Sequence, residues 1–289
     1  MGILDKLGIA EKLSGISRQS GIVLSLFLFV LGCASPPQLN SQWGCSHEDF
    51  INRVSAAGEC VVIDVYKSPK LETRPTLLVY VHGDDLRTKG ARYFPRFFDG
   101  MPDINERNLV FVLLTRPGYS NGRERSTGNH YYYEGDAYRP HIVATVTRVI
   151  NKLAQHYDAS KLVVLGHSGG SAILGSGLGA HSDFVPDVAL LAACNCNVRD
   201  WANHRGLNNW YKGRTLSPNE LVEKVSPKVK VLVVSGSSDF NALPRFGREY
   251  ADLLKKNGHQ NVRYIEIDGE GHESVIRSKE FFDLLSENL

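Results

Sequence analysis

Gly166-His167-Ser168-Gly169-Gly170 decides how this chain is read, because of what lies on either side of it. Before it runs Lys161-Leu-Val-Val-Leu165, short, apolar and rich in β-branched residues, which predicts a buried strand. After it comes Ser171-Ala-Ile-Leu-Gly-Ser-Gly-Leu-Gly-Ala180, small and apolar, which predicts a tightly packed helix. A serine at the join, with glycine two positions to either side, fits a turn so sharp that larger side chains would strike neighbouring backbone. Such a turn lifts Ser168 to where another molecule can meet it. The pentapeptide alone is a weak signal in a chain with 27 glycines, and its place between strand and helix gives it weight.

Outward from that turn the chain alternates. Cys60–Tyr66 predicts an early, partly exposed strand, and Thr76–Val81 the first strongly buried one. Leu109–Leu114, Asp187–Ala193, Lys230–Ser235 and Val262–Ile267 predict four more. Helices are expected over Tyr138–Tyr157, with Ile142, Val146, Val149, Ile150 and Leu153 on one face, over Phe246–Lys256, closed by Asn257-Gly258, and around Phe281–Leu285. Apolar strands separated by helices predict an α/β fold, a mostly parallel central sheet with helices on both faces. In such sheets functional groups gather at the carboxyl ends of strands. The polar segment 197–227 reads as a short cap insertion, with Trp201, Trp210 and Tyr211 as candidate contacts.

A serine hydroxyl is a poor nucleophile until a base takes its proton and an acid orients that base. Asp239 follows the strand ending at Ser235, and His272 follows the last strand inside Gly269-Glu270-Gly271-His272. The alternatives are a turn aspartate ahead of Pro244 and a surface histidine, and Asp268 and Asp200 are rival acids. The glycine-flanked serine and the order Ser168, Asp239, His272 resemble the α/β-hydrolase superfamily from about residue 60 to the end. That resemblance implies a nucleophile elbow at Ser168 and an oxyanion hole of two backbone N–H groups. Gly169 supplies one, and the turn His82-Gly83-Asp84 supplies the other, Asp84 first and Asp85 second. Two acids beside an oxyanion hole oppose its charge if they point inward, so either a different amide is used or one carboxylate meets a cationic group on the substrate. Asp85, Tyr119 and Trp201 are candidate pocket residues. The turn Arg116-Pro-Gly-Tyr-Ser120 either shapes the pocket or is a solvated loop, and Tyr131–Asp136 either a substrate wall or a surface turn. His82 reads as a hydrogen-bonding residue beneath the site, and His167 receives no catalytic role.

The N-terminus has a different character. Lys6, Lys12 and Arg18 precede Gly21–Gly32, an uncharged apolar run that meets Cys33. The run suits the core of a signal peptide better than a membrane span. Val30-Leu31-Gly32-Cys33 resembles the lipobox of bacterial lipoproteins, which implies lipidation of Cys33 and a lipid-anchored envelope protein. Ala34 and Ser35, in place of an aspartate after Cys33, point to the outer rather than the inner membrane. An uncleaved anchor and a cleaved, unlipidated signal are the alternatives. The organisation expected is a signal peptide over 1–32, a tether and N-terminal segment over 33–59, and a hydrolase domain over 60–289.

An exported chain can hold disulfides. Cys45–Cys60 is the favoured pair, stapling the N-terminal segment to the first strand. Cys194 and Cys196 stand one residue apart, a spacing at which a mutual bond is strained, so two reduced thiols are the alternative. Neither spacing suggests zinc, and the expected chemistry needs no metal or cofactor. A net charge of +2 gives no nucleic-acid footprint. The expected function is hydrolysis of a small-molecule ester through an acyl-enzyme on Ser168. The runner-up is a peptidase of the prolyl-oligopeptidase or proline-iminopeptidase kind, in which Asp84, Asp85 or Glu134 receives a substrate amine. A binding lipoprotein on a hydrolase scaffold without activity is the third reading.

Overall fold

The sheet is built from strands whose residues point alternately into two separate cores. Leu77, Val79 and Val81 enter one apolar cluster, while Leu78 and Tyr80 enter the other, and Val110, Val112 and Leu114 divide from Leu109, Phe111 and Leu113 in the same way. A strand buried on both faces has no polar side to alternate with, which is why these segments read as continuous apolar runs. Truncating a fully buried side chain such as Phe111 costs about 3–5 kcal/mol. The computed structural model describes residues 44–84, 99–128, 137–207 and 214–289.

Eight strands lie among the described residues: β1 (Arg53–Ala56), β2 (Glu59–Lys67), β3 (Thr76–Val81), β4 (Leu109–Leu114), β5 (Lys161–His167), β6 (Val188–Ala192), β7 (Lys230–Gly236) and β8 (Val262–Ile267). They form one sheet in the order β1-β2-β4-β3-β5-β6-β7-β8. β1 pairs with β2 and β2 with β4 antiparallel, and every later pairing is parallel. The chain leaves β3 for β4 on one side and returns past β3 to place β5 on the other. The order therefore reverses at β3 and β5, and a crevice at their carboxyl ends is where this kind of sheet holds ligands.

α1 (Pro140–His156) starts with proline at a position that needs no N–H, and α2 (Gly169–Ala180), α3 (Val198–His204) and α4 (Pro244–Lys256) share its apolar cluster. α5 (Lys279–Ser286) packs on the opposite face through Phe281, Phe282, Leu284 and Leu285, and its Ser278 cap accepts the Phe281 N–H. β1 and α3 were not foreseen from the sequence. β1 is four residues long, and α3 lies inside the expected cap insertion and is seven. A run that short carries no usable period.

Both candidate cysteine pairs are disulfides. Cys45 is bonded to Cys60 with Cα atoms 4.6 Å apart, tying the segment before β1 to β2. Cys194 is bonded to Cys196 with Cα atoms 5.0 Å apart, which corrects the alternative of two reduced thiols. At the end of an extended strand, the place the sequence predicts for this pair, alternate residues stand nearly 7 Å apart. β6 instead ends at Ala192, so both cysteines lie past the strand, where the ladder no longer holds the chain extended and the two side chains can meet.

No helix among the described residues is long and apolar enough to cross a membrane. The segments expected to hold the signal peptide and Cys33 lie outside those residues, as do Asp85, Tyr131–Asp136, Trp210 and Tyr211.

Candidate active site

β5 drives straight into the turn that carries Ser168. Ser168 has φ of 53° and ψ of −120°, a left-handed conformation that a residue with a side chain adopts at a cost. The surroundings hold it there: its N–H donates to the Ala192 carbonyl at 2.9 Å, and α2 begins at the next residue. The flanking glycines are steric requirements. A Cβ on Gly166 would lie 2.6 Å from the Ser171 backbone, and one on Gly170 would lie 2.1 Å from the Val81 carbonyl oxygen.

The loops after β7 and β8 bring two more groups to this serine. Ser168 Oγ and His272 Nε2 are 2.9 Å apart, and His272 Nδ1 and Asp239 Oδ2 are 2.8 Å apart. A carboxylate only accepts, so Nδ1 of the neutral imidazole carries the proton and the Nε2 lone pair faces the hydroxyl. Asp239 is 1% exposed. Its other oxygen accepts the backbone N–H groups of Asn241 and Ala242, each at 2.8 Å. Those two amides fix the carboxylate and leave Oδ2 for the imidazole. The rival acids are engaged elsewhere: Asp268 accepts from Ser237 Oγ, and Asp200 pairs with Asn197 at the start of α3.

His167 has a part that the sequence did not reveal. Its Nε2 donates to the His272 backbone carbonyl at 2.8 Å, tying the elbow to the loop that carries the imidazole. Burial, and next the neighbouring His272, hold its pKa below the ordinary histidine value, so the ring that makes this bond is neutral.

On the β3 side the turn His82-Gly83-Asp84 rests on an arginine. Arg116 is completely buried. Its Nη2 meets Asp84 Oδ1 at 2.8 Å, its Nη1 donates to the His82 carbonyl at 3.2 Å, and its backbone N–H donates to His82 Nε2 at 3.1 Å. His82 consequently carries its proton on Nδ1, which donates to the Gly83 carbonyl at 2.8 Å. Tyr119 and Tyr138 also donate their hydroxyls to Asp84. Burial pushes the Asp84 carboxyl up, but Arg116 and the two tyrosines outweigh it and hold it below the usual range. Burial and the adjacent carboxylate raise Tyr138 well above an ordinary phenol. The cation facing Asp84 is therefore the protein's own. The turn from Arg116 to Tyr119 is buried, which sets aside the solvated-loop alternative.

Tyr119 and Trp201, candidate pocket residues, are only 5% and 7% exposed. Trp201 Nε1 donates to Asn241 Oδ1 at 3.3 Å, so this ring backs the Asp239 loop. His167, His272 and Glu273 have donor atoms within 4.8 Å of one another, a metal-like spacing among the described residues. Both ring nitrogens of His272 are already engaged by Ser168 and Asp239, so that group offers few free ligands.

The prolyl oligopeptidase family model matches residues 130–285. No curated protein matches the chain. Among solved structures it is similar to Pyrococcus horikoshii acylaminoacyl peptidase, with 15% identity and a TM-score of 0.59 over 81% of this chain and 40% of that one. It is similar to a Mycobacterium tuberculosis puromycin-hydrolyzing peptidase, with 15% identity and a TM-score of 0.60 over 83% of this chain and 38% of that one. Est1E from Butyrivibrio proteoclasticus, with ferulic acid bound, aligns at 13% identity and a TM-score of 0.61 over 82% of this chain and 98% of Est1E. The chain thus spans about two fifths of the first two peptidases and nearly all of the esterase's length.

Proposed function

The chain belongs to the prolyl oligopeptidase family of serine hydrolases, and from that premise we propose that it hydrolyses a carboxylic ester through an acyl-enzyme on Ser168. The observation that carries the proposal is the unbroken hydrogen-bonded line from Ser168 Oγ through His272 to Asp239. His272 Nε2 takes the hydroxyl proton as Oγ bonds to the substrate carbonyl carbon, and Asp239 stabilises the imidazolium that forms. The N–H groups of Gly169 and Asp84 receive the oxyanion. Collapse of the tetrahedral adduct expels the alcohol, which takes the proton from His272. Water, deprotonated by the same nitrogen, then attacks the acyl-serine and releases the acid.

An ester is favoured over a peptide with a free amino terminus because Asp84, one of the acids able to receive an ammonium group, already faces Arg116, Tyr119 and Tyr138. The family match supports the second reading, a peptidase using the same three residues. Ser168→Ala is expected to abolish turnover of short p-nitrophenyl esters, and retained turnover in the purified variant would sink the mechanism. Faster release from aminoacyl-naphthylamides than from acyl esters would favour the peptidase. Failure of a fluorophosphonate to label Ser168 in folded protein would instead support a binding scaffold without activity.

We also propose export and lipid attachment at Cys33, supported by the Gly21–Gly32 run and by two disulfides, which persist in oxidising compartments. Replacing Cys33 by alanine should move the protein from the membrane to the soluble fraction of an expressing bacterium, and unchanged membrane association would overturn the anchor.

A further inference from the structure

Arg116 is the largest completely buried side chain among the described residues, yet the line from Ser168 to Asp239 makes no use of it. A guanidinium leaves water only where its N–H groups find acceptors. Two such acceptors lie at the ends of one short turn: the His82 carbonyl before Gly83 and the Asp84 carboxylate after it. The guanidinium carbon also sits 4.6 Å from the Tyr119 ring centroid and 5.7 Å from that of Tyr138, and both rings donate hydroxyls to the same carboxylate. Tyr138 is in turn held by Asn195 Nδ2 at 3.1 Å.

This assembly presses on the nucleophile. A Cβ on Gly83 would lie 3.0 Å from Ser168 Cβ, and one on Gly169 would lie 2.4 Å from Asp84 Oδ2. A carboxylate this close to a developing oxyanion would repel it unless a cation matched the charge.

We propose that Arg116 is a positioning residue for the oxyanion hole, holding the peptide between Gly83 and Asp84 in the orientation that aims the Asp84 N–H at the reacting carbonyl oxygen. The proposal rests on the reading that Asp84 and Gly169 supply the oxyanion donors. The planar guanidinium reaches both ends of the turn at once, which the single ammonium of a lysine does not. It also cancels the Asp84 charge where negative charge must develop.

The test uses the purified full chain, a short p-nitrophenyl ester and an alkyl boronic acid as transition-state analogue. Arg116→Lys is expected to lower kcat about 100-fold, the loss seen when one oxyanion donor is removed, with KM within about threefold. Boronate affinity should fall in parallel with kcat. Tyr138→Phe, which removes a single hydroxyl from the same carboxylate, is expected to lower kcat about tenfold. Its result decides the matter if Arg116→Lys does not fold. Unchanged kcat in the folded variants, or a loss confined to KM, overturns the positioning role while leaving the serine hydrolase intact. Undiminished turnover in Ser168→Ala overturns the reading beneath it instead.

Discussion

Asp239 and Asp84 both reach the site from the ends of strands, one behind His272 and the other against Gly169, and they are held in opposite ways. Asp239 is fixed by two neutral backbone amides on one oxygen, which leaves the second oxygen to an imidazole. Its negative charge faces no permanent cation in these contacts, so in the proposed mechanism it is available to the imidazolium formed during turnover. Asp84 faces a permanent cation and two hydroxyls. Its charge is matched within the protein itself, which in the proposal above leaves it the task of holding the turn. The same side chain responds to chemistry in one place and builds a scaffold in the other, according to whether its donors are charged.

The contrast predicts an order of effects. Asp239→Asn should lower kcat for the ester about 10⁴-fold with little change in KM, because the amide no longer selects the productive imidazole tautomer. Asp84→Asn should cost less activity and more stability. It leaves a buried guanidinium unmatched, worth about 3 kcal/mol, the low end for a broken buried pair because the Asp84 side chain keeps some exposure. Denaturant unfolding alongside steady-state kinetics separates the two, and equal kcat losses in both variants would erase the distinction.

Acid should act on the two sides at different pH. His167 has a lowered pKa in the folded protein, so the unfolded chain binds more protons as pH falls, and the stability it contributes is present above pH 6.5 and lost below it. Asp84 is also lowered, and its contribution persists until pH falls below 3.8. His181 and His259, lowered by burial, steepen the first window. In urea titrations between pH 8 and 5, His167→Gln should flatten part of the stability loss, whereas Asp84→Asn should leave that slope unchanged. A smaller slope in the Asp84 variant would mean that the two sides do not titrate separately.

The parts of the molecule legible in sequence are those written in one continuous segment. Thr76–Val81, Leu109–Leu114 and Val262–Ile267 are strands to the residue, because an apolar run flanked by turns leaves few alternatives. Ser168, Asp239 and His272 each carry a local signal at a strand end, and the fold brings them within hydrogen-bonding distance. The clamp around Arg116 draws on residues 82–84, 116–119, 138 and 195, four segments that only the strand order makes neighbours. The basic residue two positions past the end of an apolar strand was the available clue, a charge close to where burial was due. No pattern announced that the strand stops at Ala192 and frees Cys194 to meet Cys196, since the apolar run continues to Ala193.

The glycines at 166 and 170 are demanded by the crossing of β5, α2 and the end of β3, whatever the serine does. A descendant that lost its nucleophile would still need both, for the helix could not otherwise seat against the sheet. The spaced glycines of this signature are thus a record of architecture, and the residue between them is a separate record of chemistry. Two chains that share the first and differ in the second have diverged in trade without moving house.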